Sequence, residues 1–195
     1  MVDRNGEYCD GFPVDLIHPA TSSLVVFDYE KNRDYRFLIA CENKKIYNYK
    51  ADGEPVNGWE FEVMNGSIMT HPQHFRIKDK DYIVAADDQG NVKLVDRKGK
   101  LIKDFSEKFL MNKGSRFFVE LGNDLSSSKL ISTSTNGEVQ LFYLDNRIET
   151  RKLQPFSLQH YFVCSDINND KKMDMLFADK NELIAFDQTS RLLFN

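Results

Sequence analysis

The chain has 195 residues, 41% of them hydrophobic and 29% charged, with 26 Lys and Arg against 30 Asp and Glu for a formal charge of −4. These proportions belong to a globular chain with a sizeable core and exclude a fibre or a disordered tail; no apolar run nears the roughly 20 residues of a membrane helix. Scattered cations and a negative net charge argue against a nucleic-acid partner, because phosphate binding needs clustered positive charge.

In chain order, the opening residues MVDRNGEYCDG have neither the basic start nor the apolar stretch of a signal peptide. The compartment stays open: a cytosolic chain, or a segment of a longer one whose parent is exported or attached to the cell envelope. Cys9, Cys41 and Cys164 stand singly without CxxC spacing, so they read as small buried hydrophobes rather than zinc or dithiol sites.

Self-similarity organises the rest. VDRNGEYCDGF (2–12), YKADGEPVNGW (49–59) and VDRKGKLIKDF (95–105) each carry a turn glycine followed six residues later by an aromatic, Gly6 to Phe12, Gly53 to Trp59 and Gly99 to Phe105. The interval then lands on Asn146 and near Ser190. Within each interval, short runs rich in Val, Ile, Phe and Tyr alternate with polar turns. LVVFD (24–28), RFLIA (36–40) and KIYNY (45–49) come first; then FRI (75–77), YIVAA (82–86), VKLVD (92–96) and KLIKDF (100–105). RFFVE (116–120), KLIST (129–133) and VQLFY (139–143) follow, and the last group is YFVCS (161–165), DMLFA (174–178), LIAFD (183–187) and RLLFN (191–195). Residues 101–112 read as a fourth strand leading into a connector.

A four-stranded unit recurring at about 40–50 residues is the mark of a β-propeller blade. The expected fold is all-β: one β-propeller domain of about four four-stranded antiparallel blades (22–63, 73–110, 115–156 and 159–195), forming part of a larger propeller. Residues 7–14 are expected as a leftover outer strand.

Asp88, Gly90, Val92, Asp96, Gly99 and Phe105 resemble the repeat of PQQ-type, quinoprotein-like propellers over essentially the whole chain. The resemblance implies an architecture shared by enzymes, assembly scaffolds and binding modules alike.

The sharpest local motif is SDINNDKKMD (165–174), with Asp166, Asn168, Asp170 and Asp174 at positions 1, 3, 5 and 9 of a loop. Oxygens at alternating positions of a tight turn converge, as Ca²⁺ requires. The motif resembles the Ca²⁺ loops of FG-GAP and VCBS-type repeats, which implies a backbone carbonyl ligand from Lys172. Lys171 stands where glycine is usual. The alternative is an Asp/Asn-stabilised turn without metal. FDYEKNRDYR (27–36) keeps Asp28 and Glu30 but places Asn32 at position 5 and Arg36 at position 9, so at most one Ca²⁺ is expected.

His74, Arg116 and His160 each precede or open the first strand of a blade, where they could line one channel and bind an anion; surface polar residues are the plainer alternative. No GxSxG, P-loop, GxGxxG or HExxH occurs, so no residue is assigned a catalytic role. Trp59 is expected to pack between blades. The leading function is a non-catalytic binding or scaffolding module with a protein or glycan partner. The rival is a fragment of a quinoprotein dehydrogenase or polysaccharide-active enzyme. Apolar faces on the first and last blades, including Leu24, Val26, Phe177 and Phe186, are expected to be bare and to drive homodimer formation.

Overall fold

The computed structural model describes residues 1–112 and 115–194. Every regular element in it is a strand, and no helix among the described residues is long and apolar enough to cross a membrane. The chain divides into two compact units, Met1–Phe105 and Ser106–Asn195.

The first unit holds β1 (Val25–Phe27), β2 (Arg36–Ala40) and β3 (Ile46–Lys50) in one sheet, and β4 (Gln73–Ile77), β5 (Lys80–Ala86), β6 (Val92–Val95) and β7 (Leu101–Asp104) in a second. The other unit holds β8 (Phe118–Glu120), β9 (Lys129–Thr133), β10 (Val139–Tyr143) and β11 (Ile148–Arg151), then β12 (Tyr161–Ser165), β13 (Asp174–Asp179), β14 (Glu182–Phe186) and β15 (Leu192–Phe194). Within each sheet, strands pair antiparallel with their sequence neighbours. The first sheet has three strands; beyond β3, Pro55 makes an isolated bridge to Tyr49, flanked by the Lys50 N–H donating to the Glu54 carbonyl and the Val56 N–H donating to the Asn48 carbonyl.

The repeat predicted from glycines is visible in the backbone. Gly6, Gly53, Gly99, Asn146 and Ser190 all have φ between 70° and 89°, and each N–H donates to the carbonyl three residues back. Gly99 is fixed twice over: a Cβ there would lie 2.9 Å from the Phe61 nitrogen and 3.1 Å from the Trp59 ring. Trp59 packs against the core between the two sheets of its unit, stacks on Phe61, and donates from Nε1 to the Ile46 carbonyl at 2.6 Å. This is the packing role expected of it.

In each unit the two sheets share one apolar cluster. Leu38, Ala40, Ile46, Ile68 and Ile83 lie in the first, and Ile131, Leu141, Met175, Phe177 and Ile184 in the second. Each large side chain fully buried in this way contributes about 1.5–3 kcal/mol. Residues 101–112 are strand only through Asp104, and the buried Phe105 and Phe109 anchor the connector.

Two expectations fail. Residues 7–14 form no strand: Tyr8 makes a single bridge to Val2, and Phe12 lays its ring edge-on against Phe37 of the first sheet, at 6.0 Å. Phe177 and Phe186 are not on a bare face either, being 0% and 6% exposed in the second core. The open face of the last sheet carries Tyr161, Val163, Ala178 and Leu183 instead. Leu24 and Val26 are exposed as expected.

Candidate functional site

His74 lies in the first unit, half-buried in β4. Its Nε2 is 2.7 Å from Asp81 Oδ1, and its ring packs on Phe27 and edge-on against Tyr29. Asp81 also accepts from Arg76 (Nη2 to Oδ2, 2.9 Å) and pairs with Arg97. Burial alone would raise its pKa, but hydrogen bonds from Arg76 and His74 and the charge of Arg97 outweigh it and hold the group at about 2. Burial also pushes the Tyr29 hydroxyl well up, opposed by Arg97, which lies 4.7 Å over its ring. His74 is thus part of a salt-linked network that the sequence does not reveal; the spacing of Arg76, Asp81 and Arg97 carries no periodic signal for it.

Arg116 and His160 meet in the second unit, in a cleft of about 740 Å³ that Phe118, Leu158, Tyr161 and Lys180 also line. Arg116 is exposed there. His160 is buried with both ring nitrogens engaged: Nδ1 lies 2.6 Å from the Ser157 carbonyl, which can only accept, and Nε2 lies 2.8 Å from the Thr133 hydroxyl. It holds the connector onto β9 and has no nitrogen left for a ligand. The cleft offers instead Arg116, Leu158 and Tyr161, the last 78% exposed. YFVCS is apolar at both parities, which is the signal that both faces of its sheet are apolar.

The loop before β13 is built by side chains folded onto its own backbone. Asp166 accepts from the amides of Asp170 (3.1 Å) and Lys171 (2.9 Å). Asn168 Oδ1 takes the Asp170 amide, and Asp170 takes that of Lys172. Asn169 and Lys171 sit at φ 62° and 68°, so the lysine at the sixth place adopts the left-handed backbone expected of glycine. Asp174 is 0% exposed; its Oδ2 accepts from Ile167 at 3.0 Å and Asn168 at 3.4 Å, while its Oδ1 has no hydrogen-bond partner. Among the described residues, no three His, Cys, Asp or Glu side chains are grouped to hold a metal ion. Any cation in this loop would need amide, carbonyl or water oxygens as well.

Loop 28–36 repeats this backbone. Asp28 accepts from Asn32 (3.1 Å) and Arg33 (3.0 Å), Asn32 accepts from Asp34 (3.0 Å), and Lys31 and Arg33 have φ of 56° and 72°. At the ninth place Arg36 grips Asp34 with both terminal nitrogens, Nη2 to Oδ2 at 2.8 Å.

Cys41 and Cys164 are buried free thiols whose pKa values burial pushes up, so neither is primed as a nucleophile.

No protein-family model matches the chain, and no curated protein matches its sequence. Solved structures do match it in fold. BamB from Moraxella catarrhalis aligns with a TM-score of 0.56 at 13% identity, covering 91% of this chain and 49% of that one. Two structures of BBS1N in complex with ARL6DN align at 0.54 and 0.55, with 14% and 10% identity, covering 87% and 95% of this chain and 52% and 57% of theirs. The fold is therefore all-β and of the β-propeller class. The chain spans about half the length of the solved chains it matches.

Proposed function

We propose that this propeller chain works by binding another protein, and that the outward face of the β12–β15 sheet, with the cleft beside Arg116, is its contact surface. One observation carries the reading: Tyr161 stands 78% exposed at the head of a row, paired through Ala178 to Leu183, itself 54% exposed. Exposed tyrosine beside arginine, set among apolar neighbours, is the composition of interface hot spots. The likeness to BBS1N, a propeller solved together with ARL6DN, supports it as analogy.

Tyr161, Val163, Ala178 and Leu183 are uncharged, so a second copy can meet this row across a two-fold axis without opposing like charges along the row itself. Light scattering across a concentration series tests the pairing. The wild-type mass is expected to rise toward the dimer, and Tyr161→Lys or Leu183→Lys to hold it at the monomer with an unchanged circular dichroism spectrum. A wild type that stays monomeric at high concentration overturns self-pairing.

The quinoprotein-like alternative rests on the repeat residues Asp88, Gly90, Asp96 and Gly99. A flat cofactor in such an enzyme would be expected to stack on tryptophan, and Trp59 is instead stacked on Phe61 and tied to Ile46. Quinone reconstitution giving a new absorbance band and dye reduction would favour the enzyme over the binding module.

A further inference from the structure

An open sheet edge invites pairing with another chain, and proteins guard it with charge, proline, a bulge or brevity. Among the described residues the edges follow that rule, except at β12. β1, β8 and β15 are three residues long, and the longer edges β3, β4, β7 and β11 carry Lys50, Arg76, Lys103 and Arg151. β12 is five residues, YFVCS, with neither a charge nor a proline, and it pairs in unbroken register with β13 alone.

Beside that edge lies the cleft. Successive side chains of a strand point to opposite faces, so a cavity lined by Tyr161, Phe162 and Val163 in succession runs along the edge of β12 rather than over one face. Arg116 and Lys180 also line it, both exposed and neither in a salt bridge among the described residues. The acid beside them, Asp179, is taken up by the Ser157 N–H at 2.8 Å and by the Ser157 hydroxyl. Both cations sit at the Tyr161 end. Lys180 lies just beyond Ala178, the cross-strand partner of Tyr161, and the Arg116 carbonyl accepts from Ser132, next to the Thr133 that holds His160. Positive charge therefore gathers at this end of the cleft, on a chain whose net charge is −4.

Resting on the protein-binding reading above, we propose that β12 takes an extended acidic segment of the partner protein as a further, antiparallel strand, with its carboxylates at Arg116 and Lys180. Main-chain hydrogen bonds supply affinity, and alternate apolar side chains fit against Phe118, Leu158 and Tyr161. An antiparallel strand brings its C-terminal end to Tyr161, so the acids belong at that end of the segment. β12 of a second copy carries no carboxylate and does not meet this charge.

Fluorescence anisotropy tests this with a labelled peptide of alternating valine and threonine that ends in a pair of glutamates. The full chain is expected to bind it, more weakly as salt rises, and to bind a version ending in lysines at least about tenfold less well. Arg116→Glu and Lys180→Glu, both on exposed side chains, should each weaken the glutamate peptide at least about tenfold with an unchanged circular dichroism spectrum. N-methylation of the peptide's amides should abolish binding at one parity and spare it at the other, because only alternate amides face β12. Equal binding of the two peptides, variants that bind as wild type, or N-methylation without effect at either parity overturns the proposal. Absence of binding overturns it as well; if the wild-type mass still rises toward the dimer, the failure is that of strand addition and not of the contact face.

Discussion

Loops 28–36 and 166–174 share a backbone and differ in charge. In both, the first aspartate gathers the amides of the fifth and sixth residues, and the fourth and sixth residues take left-handed φ. The ninth residue changes sign, from Arg36, which reaches Asp34 outside the core, to Asp174, which is buried. Loop shape is therefore set by local hydrogen bonds, and the ninth place decides how the loop's charge is balanced.

The largest expected effect is common to the pair. Asp28→Ala and Asp166→Ala each leave two amides without their acceptor and should each cost about 1–2 kcal/mol, read from urea unfolding. A loss confined to one loop would break the equivalence. A smaller effect should separate them by pH. Hydrogen bonds from Arg36 hold Asp34 below its ordinary carboxylate value. A lowered folded pKa means stabilisation that is complete above the unfolded value and lost as acid protonates the group. Acid should therefore release Arg36, and Arg36→Gln should move the Asp34 titration, followed by carboxyl NMR, up toward the ordinary range. An unmoved titration would show that the ion pair does not form in solution. Asp81 obeys the same sign: held at about 2 in the folded chain, it stabilises the first unit above about pH 4 and loses that contribution between about pH 4 and 2. Asp81→Asn should flatten acid unfolding in that window.

Much of this is legible in the sequence, and for physical reasons. Gly6, Gly53 and Gly99 sit where the backbone turns left-handed, and the same interval finds Asn146 and Ser190, two residues that tolerate that region without being glycine. The strands fall close to the predicted runs because turns punctuate them. Direction is what the sequence does not carry. YFVCS and DMLFA are apolar at both parities, so period two cannot tell the core side from the open side, and the expectation for Phe177 lands on the wrong one. The same ambiguity hides Tyr161. Position near a strand start does not say which way a ring points, and the ring of His160 turns inward to Ser157 and Thr133 rather than toward a channel. The ninth residue of loop 28–36 speaks against a cation there, yet the loop's backbone depends on its first.

The two-loop account is tested most directly by amide hydrogen exchange at Asn32, Arg33, Asp170 and Lys171. All four should be protected in the wild-type chain, with Asp28→Ala exposing only Asn32 and Arg33 and Asp166→Ala exposing only Asp170 and Lys171. Rapid exchange at these amides in the wild-type chain would contradict it.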